Sequence, residues 1–206
     1  MSEILAPCGA MESLTAAVNA GADAVYLGEE YFSARKNADN FTAEQLCDAV
    51  RFCHYSGVKV YVTLNTLVFD REIPLLAKAI ENCAKADVDA FIVQDMGVAR
   101  LARQIVPELP LHASTQMTVN SPEGAIMAKE LGFTRVVLGR ELSLAQIKAI
   151  TESCDIETEL FVHGALCVCI SGQCYMSSVL GGRSGNRGLC AQPCRLDFTS
   201  GYRPNI

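Results

Sequence analysis

Short runs of β-branched and aromatic residues alternate with longer stretches of helical period, and that alternation restricts the fold more than any other feature of the chain. A strand followed by a helix that returns to start a parallel neighbour is the βα unit, so its repetition predicts a parallel sheet flanked by helices. Strands are predicted at Ile4–Ala6, Ala24–Leu27, Lys59–Leu64, Ala90–Val93, Leu111–Ser114, Arg135–Leu138 and Ile156–Val162. Helices are predicted at Glu12–Ala20, Thr42–Tyr55, Ile73–Ala86, Gly97–Ile105, Pro122–Leu131 and Leu144–Ser153. In the second helix Leu46, Val50 and Cys53 share a face, and in the third Leu76, Ala79, Ile80 and Cys83 do, which places Cys53 and Cys83 in the core as small hydrophobes.

Helix starts are marked by Thr42 with Gln45 three residues on, by Ser121 before Pro122 and by Ser143. Helix ends are marked by Gly21, Gly57 and Gly132, which tolerate the left-handed cap conformation. The phrases AGADAVYLG, KADVDAFIVQD and ELGFTRVVLGR repeat one grammar of helix end, short loop and buried strand. Seven such strands fit a TIM-like (β/α)₈ barrel better than an open sheet. Such barrels typically need about 250 residues, and the twelve residues after Cys194 supply no full βα unit, so the expectation is an incomplete barrel from a longer protein. Residues 1–163 are assigned to the barrel units and 164–206 to a cysteine- and glycine-rich segment of the same domain.

The N-terminus MSEILAPCGA is acidic where a signal peptide carries positive charge, and no apolar run reaches the roughly 20 residues of a membrane span. A cytoplasmic protein is expected, and in that reducing compartment ten cysteines point to metal or redox chemistry rather than to disulfides. The net charge of −6 argues against binding nucleic acid by bulk electrostatics. Any such binding has to be local, and Arg183, Arg187 and Arg195 lie near the cysteines as a candidate basic patch.

The thiols cluster after the seventh strand, at the end of the sheet where barrel active sites are built. They run C-x6-C-x15-C-x3-C through Cys167, Cys174, Cys190 and Cys194, with Cys169 as an additional thiol. Four thiolates suit a tetrahedral zinc ion or a [4Fe–4S] cluster, and the absence of paired C-x2-4-C knuckles favours the cluster. The run GGRSGNRG departs from the nucleotide P-loop pattern and is read as a loop wrapping the metal.

Glu159-x-Phe161-x-x-Gly164-Ala165-Leu166-Cys167-x4-Gly172-x-Cys174-x-Met176-Ser177 resembles the signature of the collagenase-like peptidases of unassigned catalytic type, family thirty-two (peptidase U-32). The similarity continues through GGRSGNRGLCAQPCR, LAPCGAMESLTAAVNAGADAVYLG, FSARKNADNFT and HASTQMTVNS and so covers essentially the whole chain. The family name implies proteolysis. Its better-studied members resemble iron–sulfur proteins that hydroxylate a pyrimidine in transfer or ribosomal RNA, or a quinone precursor, without molecular oxygen, and prephenate is implicated as the oxygen source. The resemblance implies Cys167, Cys174, Cys190 and Cys194 as cluster ligands and, since some members work in pairs, a homologous partner subunit.

The residues themselves give proteolysis little support. No H-E-x-x-H surrounds any histidine, and Gly182-Arg183-Ser184-Gly185-Asn186 misses the G-x-S-x-G elbow at its last position. A His163–Cys167 thiol dyad would compete with a metal for the same sulfur. Hydroxylation needs a pocket for an aromatic ring, and the candidate wall residues at strand ends are Tyr26, Asn65, Gln94, His112, Gln116, Glu159 and His163. Of these His112, Gln116, Glu159 and His163 are the catalytic candidates, although His112 also reads as a hydrogen-bonded barrel residue and Glu159 as the partner of an arginine. Arg35, Arg183 and Arg187 are the candidate substrate-binding cations.

Overall fold

The computed structural model describes residues 2–34 and 39–198. Its strands are β1 (Leu5–Pro7), β2 (Ala24–Gly28), β3 (Lys59–Leu64), β4 (Ala90–Val93), β5 (Leu111–Ala113), β6 (Arg135–Val137) and β7 (Glu157–Glu159). They form one parallel sheet in sequence order. The intervening helices are α1 (Met11–Asn19), α2 (Ala43–Tyr55), α3 (Ile73–Lys85), α4 (Met96–Ile105), α5 (Pro122–Glu130) and α6 (Leu144–Ser153). The chain is thus a curled half-barrel, an incomplete TIM-like α/β barrel. Among the described residues no helix is long and apolar enough to cross a membrane.

Strand alternation sorts the side chains. Val60, Val62, Leu64, Phe91, Val93, Leu111 and Val136 point outward and pack with the helix stripes in one large core. Ala24, Tyr61, Ala90 and Ile92 point the other way, into the lumen. Cys53 and Cys83 are fully buried in the outer core, and burial pushes the Cys53 thiol up to about 11 and that of Cys83 well above its ordinary value.

The helix starts work as the sequence predicts: Thr42 and Gln45 exchange backbone bonds at 3.2 and 3.0 Å, and Ser121 accepts from the Gly124 amide at 3.0 Å. Gly21, Gly57 and Gly132 adopt φ of +86°, +73° and +85°. The seventh strand is shorter than predicted. Its last bond to β6 is from the Leu138 amide to the Glu159 carbonyl, and beyond Leu138 β6 offers no further partner. Leu160 to Val162 therefore leave the sheet, and Val162 is 96% exposed.

The cysteine-rich segment lies over the C-terminal mouth of the sheet and contains a helix absent from the prediction, α7 (Met176–Gly181). Several contacts fasten it. Glu141 accepts from the Ser171 amide and hydroxyl at 3.0 and 2.9 Å, and Thr118 donates to the Ser171 carbonyl at 2.6 Å. Gly172, at φ +76°, passes so close to Gln116 that a Cβ would lie 2.8 Å from the Gln116 carbonyl carbon. Arg187 reaches back to the loop after β3, donating to Leu67 O and, at 2.6 Å, to Glu72.

Candidate functional site at the barrel mouth and lumen

Beside the small apolar cluster of Ala24, Tyr61, Ala90 and Ile92, the lumen holds a network of charges. Arg135, the first residue of β6, is 10% exposed; it donates to Glu3 at 2.7 Å and to Glu157 at 2.7 and 2.9 Å. Tyr61 donates to Glu3 at 3.0 Å, and the Arg135 guanidinium stacks 5.2 Å above the Tyr61 ring. Since Glu3 precedes β1, this contact draws the two ends of the sheet together across the lumen.

Two catalytic candidates belong to that network. Glu159 lies 3.6 Å from Arg135, yet its Oε2 is buried with no hydrogen-bond partner among the described residues. Burial outweighs the cation and raises its carboxyl to about 6. His112 is 3% exposed, meets Tyr61 edge-on at 4.8 Å and has an unpartnered Nδ1. Burial, with Arg135 and Lys59 adding, lowers its pKa to about 3, so its imidazole is neutral at physiological pH.

The other two stand at the mouth. Gln116 donates to the Asn65 carbonyl at 3.3 Å, tying the loops after β3 and β5, and Gln94 has a buried Oε1 without a partner among the described residues. His163 is exposed and lines a cavity of about 200 Å³ with Arg140, Phe161, Val162, Gly164 and Leu166. Arg140 was not anticipated, although its position shortly after the sixth strand is where βα loops build sites. It donates to the Ala165 carbonyl at 2.8 Å and to the Cys167 sulfur at 3.1 Å, and lies 5.4 Å over the Phe161 ring.

Among the candidate cations, Arg187 is engaged by Glu72 and stacks 4.3 Å over Phe69. Arg183 is exposed, and Arg35 lies outside the described residues. Arg195 donates to the Leu166 carbonyl at 3.4 Å, which brings a cation to the rim of the Arg140 cavity.

All ten cysteines are free. A Cβ on Gly185 would sit 3.8 Å from the Cys190 Cβ and 3.9 Å from the Cys174 carbonyl oxygen, and the turn Pro193–Arg195, which carries Cys194, packs on α7. Cys167 stands beside Arg140. As a donor set, four thiols on loops of irregular spacing fit an iron–sulfur cluster. Their side chains are not drawn together: among the described residues no three His, Cys, Asp or Glu groups stand close enough to hold one metal ion.

Comparison with known proteins places this geometry in context. The model of peptidase family U32 matches residues 9–205. The chain is 45% identical over 197 residues to the 23S rRNA 5-hydroxycytidine C2501 synthase of Escherichia coli (strain K12), covering 96% of this chain and 30% of the relative. It is 39% identical over 196 residues to tRNA hydroxylation protein P1 of Bacillus subtilis (strain 168), covering 95% and 46%. The chain thus spans less than half the length of these relatives. The solved structure of the U32 peptidase Mk0906 shares the fold, with a TM-score of 0.67 at 19% identity over 78% of this chain and 68% of that one.

Proposed function

Because the chain belongs to peptidase family U32, we propose that it is the barrel portion of a protein that hydroxylates a pyrimidine of transfer or ribosomal RNA in the cytoplasm. The observation that carries this reading is the extent of the similarity to two proteins named for RNA hydroxylation, which covers 95–96% of the chain. Cys167, Cys174, Cys190 and Cys194 are the proposed ligands of a [4Fe–4S] cluster. Bound there, such a cluster supplies an electron-transfer or Lewis-acid centre at the mouth of the barrel. A small acid such as prephenate is the proposed oxygen source, and a homologous partner subunit the proposed associate, both on the strength of the family resemblance.

The chain's own residues divide the remaining work. Arg140 anchors the backbone and sulfur of the loop that bears Cys167. Neutral His112 and the carboxyl of Glu159, raised to about 6, supply groups able to hold or pass a proton in a water-poor lumen. Proteolysis draws no support from this arrangement. Among the described residues the Cys167 sulfur accepts a hydrogen bond from Arg140 and makes none with His163, so no thiol–imidazole dyad is assembled.

Anaerobic purification with iron and sulfide analysis and a visible spectrum tests the cofactor, and Cys→Ser changes at the four positions should abolish the absorbance. A single zinc ion, or no metal, removes that premise. Mass spectrometry of RNA nucleosides from a deletion strain tests the reaction, and an unchanged set of hydroxypyrimidines refutes it.

A further inference from the structure

We infer that the open side of the sheet, between β7 and β1, is a docking slot for one further β-strand of the longer polypeptide, and that this strand brings a lysine or arginine into the lumen beside Glu159. The slot belongs to the barrel and stands apart from the RNA reading.

The strands run in order from β1 to β7, so those two are the edges, and among the described residues they do not pair with each other. A strand residue directs its N–H and C=O to the same side. The Glu157 amide and the Glu159 carbonyl bond to the β6 side, which turns the amide and carbonyl of Thr158 to the open edge. On β1 the Ile4 carbonyl and the Cys8 amide bond to β2, so Leu5 and Pro7 face outward. Pro7 has no amide proton, and the β1 edge presents the Leu5 amide with two carbonyls. Such rows are ready templates for another strand.

The width suits one strand rather than several. With one strand between them, β7 and β1 would stand about 10 Å apart, two strand spacings. Arg135 Nη1 lies 2.7 Å from Glu3, which precedes β1, and 3.6 Å from Glu159, the last residue of β7. Two carboxylates on one nitrogen hold the edges within reach of two glutamate side chains. One added strand makes eight, the number at which a barrel is filled by its own side chains.

Charge defines the chemistry of the strand. Glu3, Glu157 and Glu159 surround Arg135, and the other nearby cation is Lys59, 3.8 Å from Glu3 and more than half exposed. Glu159 Oε2 is buried without a hydrogen-bond partner among the described residues. A side chain entering the lumen between Glu3 and Glu159 meets a carboxylate on either hand, and a lysine or arginine supplies both the missing donor and the missing charge. The same carboxylates disfavour a second copy, because two β7 edges laid together would oppose Glu157 and Glu159 of each. The longer polypeptide is the occupant that remains, since the chain spans less than half the length of its relatives. Ile4, on the outer face by alternation with Leu5, is 64% exposed where a helix following that strand would cover it.

Amide NMR on the full 206-residue chain tests the slot. The probes are two peptides of about ten residues alternating valine with polar residues, identical except for arginine or glutamate at the central polar position. The arginine peptide should slow hydrogen exchange at Leu5 and Thr158 and bind about thirty-fold more tightly than the glutamate peptide, the difference between a buried charge pair and a like-charged one. Glu159→Gln should shrink that preference several-fold. Failure of both peptides to bind, equal affinities, or binding that leaves both amides unprotected overturns the inference. So does a preference untouched by Glu159→Gln in a protein of unchanged circular dichroism. A chain that self-associates with Thr158 already protected makes a second copy the occupant and overturns it as well. None of these results bears on RNA hydroxylation, and an unchanged set of hydroxypyrimidines in the deletion strain leaves the slot standing.

Discussion

Replacing Arg135 by methionine tests whether one cation holds the charged lumen together. The guanidinium is 10% exposed and lies 2.7 Å from Glu3, 2.7 Å from Glu157 and 3.6 Å from Glu159. Removing one partner of a buried ion pair costs about 3–5 kcal/mol, because the charge left behind stays desolvated. Glu157 is 66% exposed and regains water, so the lower end of that range, about 3 kcal/mol at neutral pH, is expected.

The pH dependence separates this effect from lost packing. Burial holds the Glu159 carboxyl at about 6, above its ordinary 4.5. The native state therefore binds that proton more tightly than the unfolded chain. The resulting cost is absent below 4.5, grows as pH rises, and is complete above about 6, where it amounts to about 2 kcal/mol. Without Arg135 the carboxyl rises further, so the deficit of Arg135→Met should be larger near pH 7.5 than near pH 5. Urea unfolding followed by far-ultraviolet circular dichroism at the two pH values measures it. Equal deficits, or a loss under about 1 kcal/mol at neutral pH, would refute the reasoning.

His112→Phe should flatten the acid side of the stability profile. With the histidine held near 3, the unfolded chain takes up the proton first as pH falls below 6.5, so the wild type should lose about 1.4 kcal/mol per pH unit relative to the variant in paired urea titrations. Gly172→Ala forces a side chain into a left-handed backbone and against the Gln116 carbonyl, at a cost of about 1–3 kcal/mol. Thermal unfolding and faster proteolysis of the segment around Cys167 should register it. Arg187→Ala breaks a partly exposed pair with Glu72 and should cost about 1 kcal/mol, less in high salt. Urea midpoints at low and high ionic strength decide that.

The barrel was legible because its rules are local. β3 and β4 fall at the predicted bounds, and the caps at Thr42 and Ser121 form as drawn, since each depends on residues a few positions apart. The seventh strand was overextended because the apolar run through Val162 looks like a buried strand, whereas pairing ends where β6 ends. The lumen was hidden for the opposite reason. Arg135 and Glu3 are separated by 132 positions, and only the curl of the sheet joins them. Arg187, read as part of a basic patch, meets a carboxylate 115 positions away. Around the cysteines there is no periodicity to read, so neither the short helix Met176–Gly181 nor the bond from Arg140 to Cys167 could be inferred.

The two ends of the half-barrel solve different problems with different interactions. Inside the sheet, Arg135 joins β6 and β7 to the segment before β1 by short charged bonds, which are strong where water is scarce. At the mouth the fastenings are fewer and directional: Glu141 on Ser171, Thr118 on the Ser171 carbonyl, Gly172 against Gln116, and Arg187 on Glu72. They hold the cysteine segment at its middle and near its far end. Between these points, in the stretch bearing Cys174, Tyr175, Val179 and Leu180 are exposed, and before them Leu166, Val168 and Ile170 are exposed beside the two bonds from Arg140 to the Cys167 loop. Such stretches can rearrange at little cost to the barrel core, because few core contacts need to break. Rearrangement of the segment that bears the thiols would leave the sheet, with Glu159 at the end of β7, as it is.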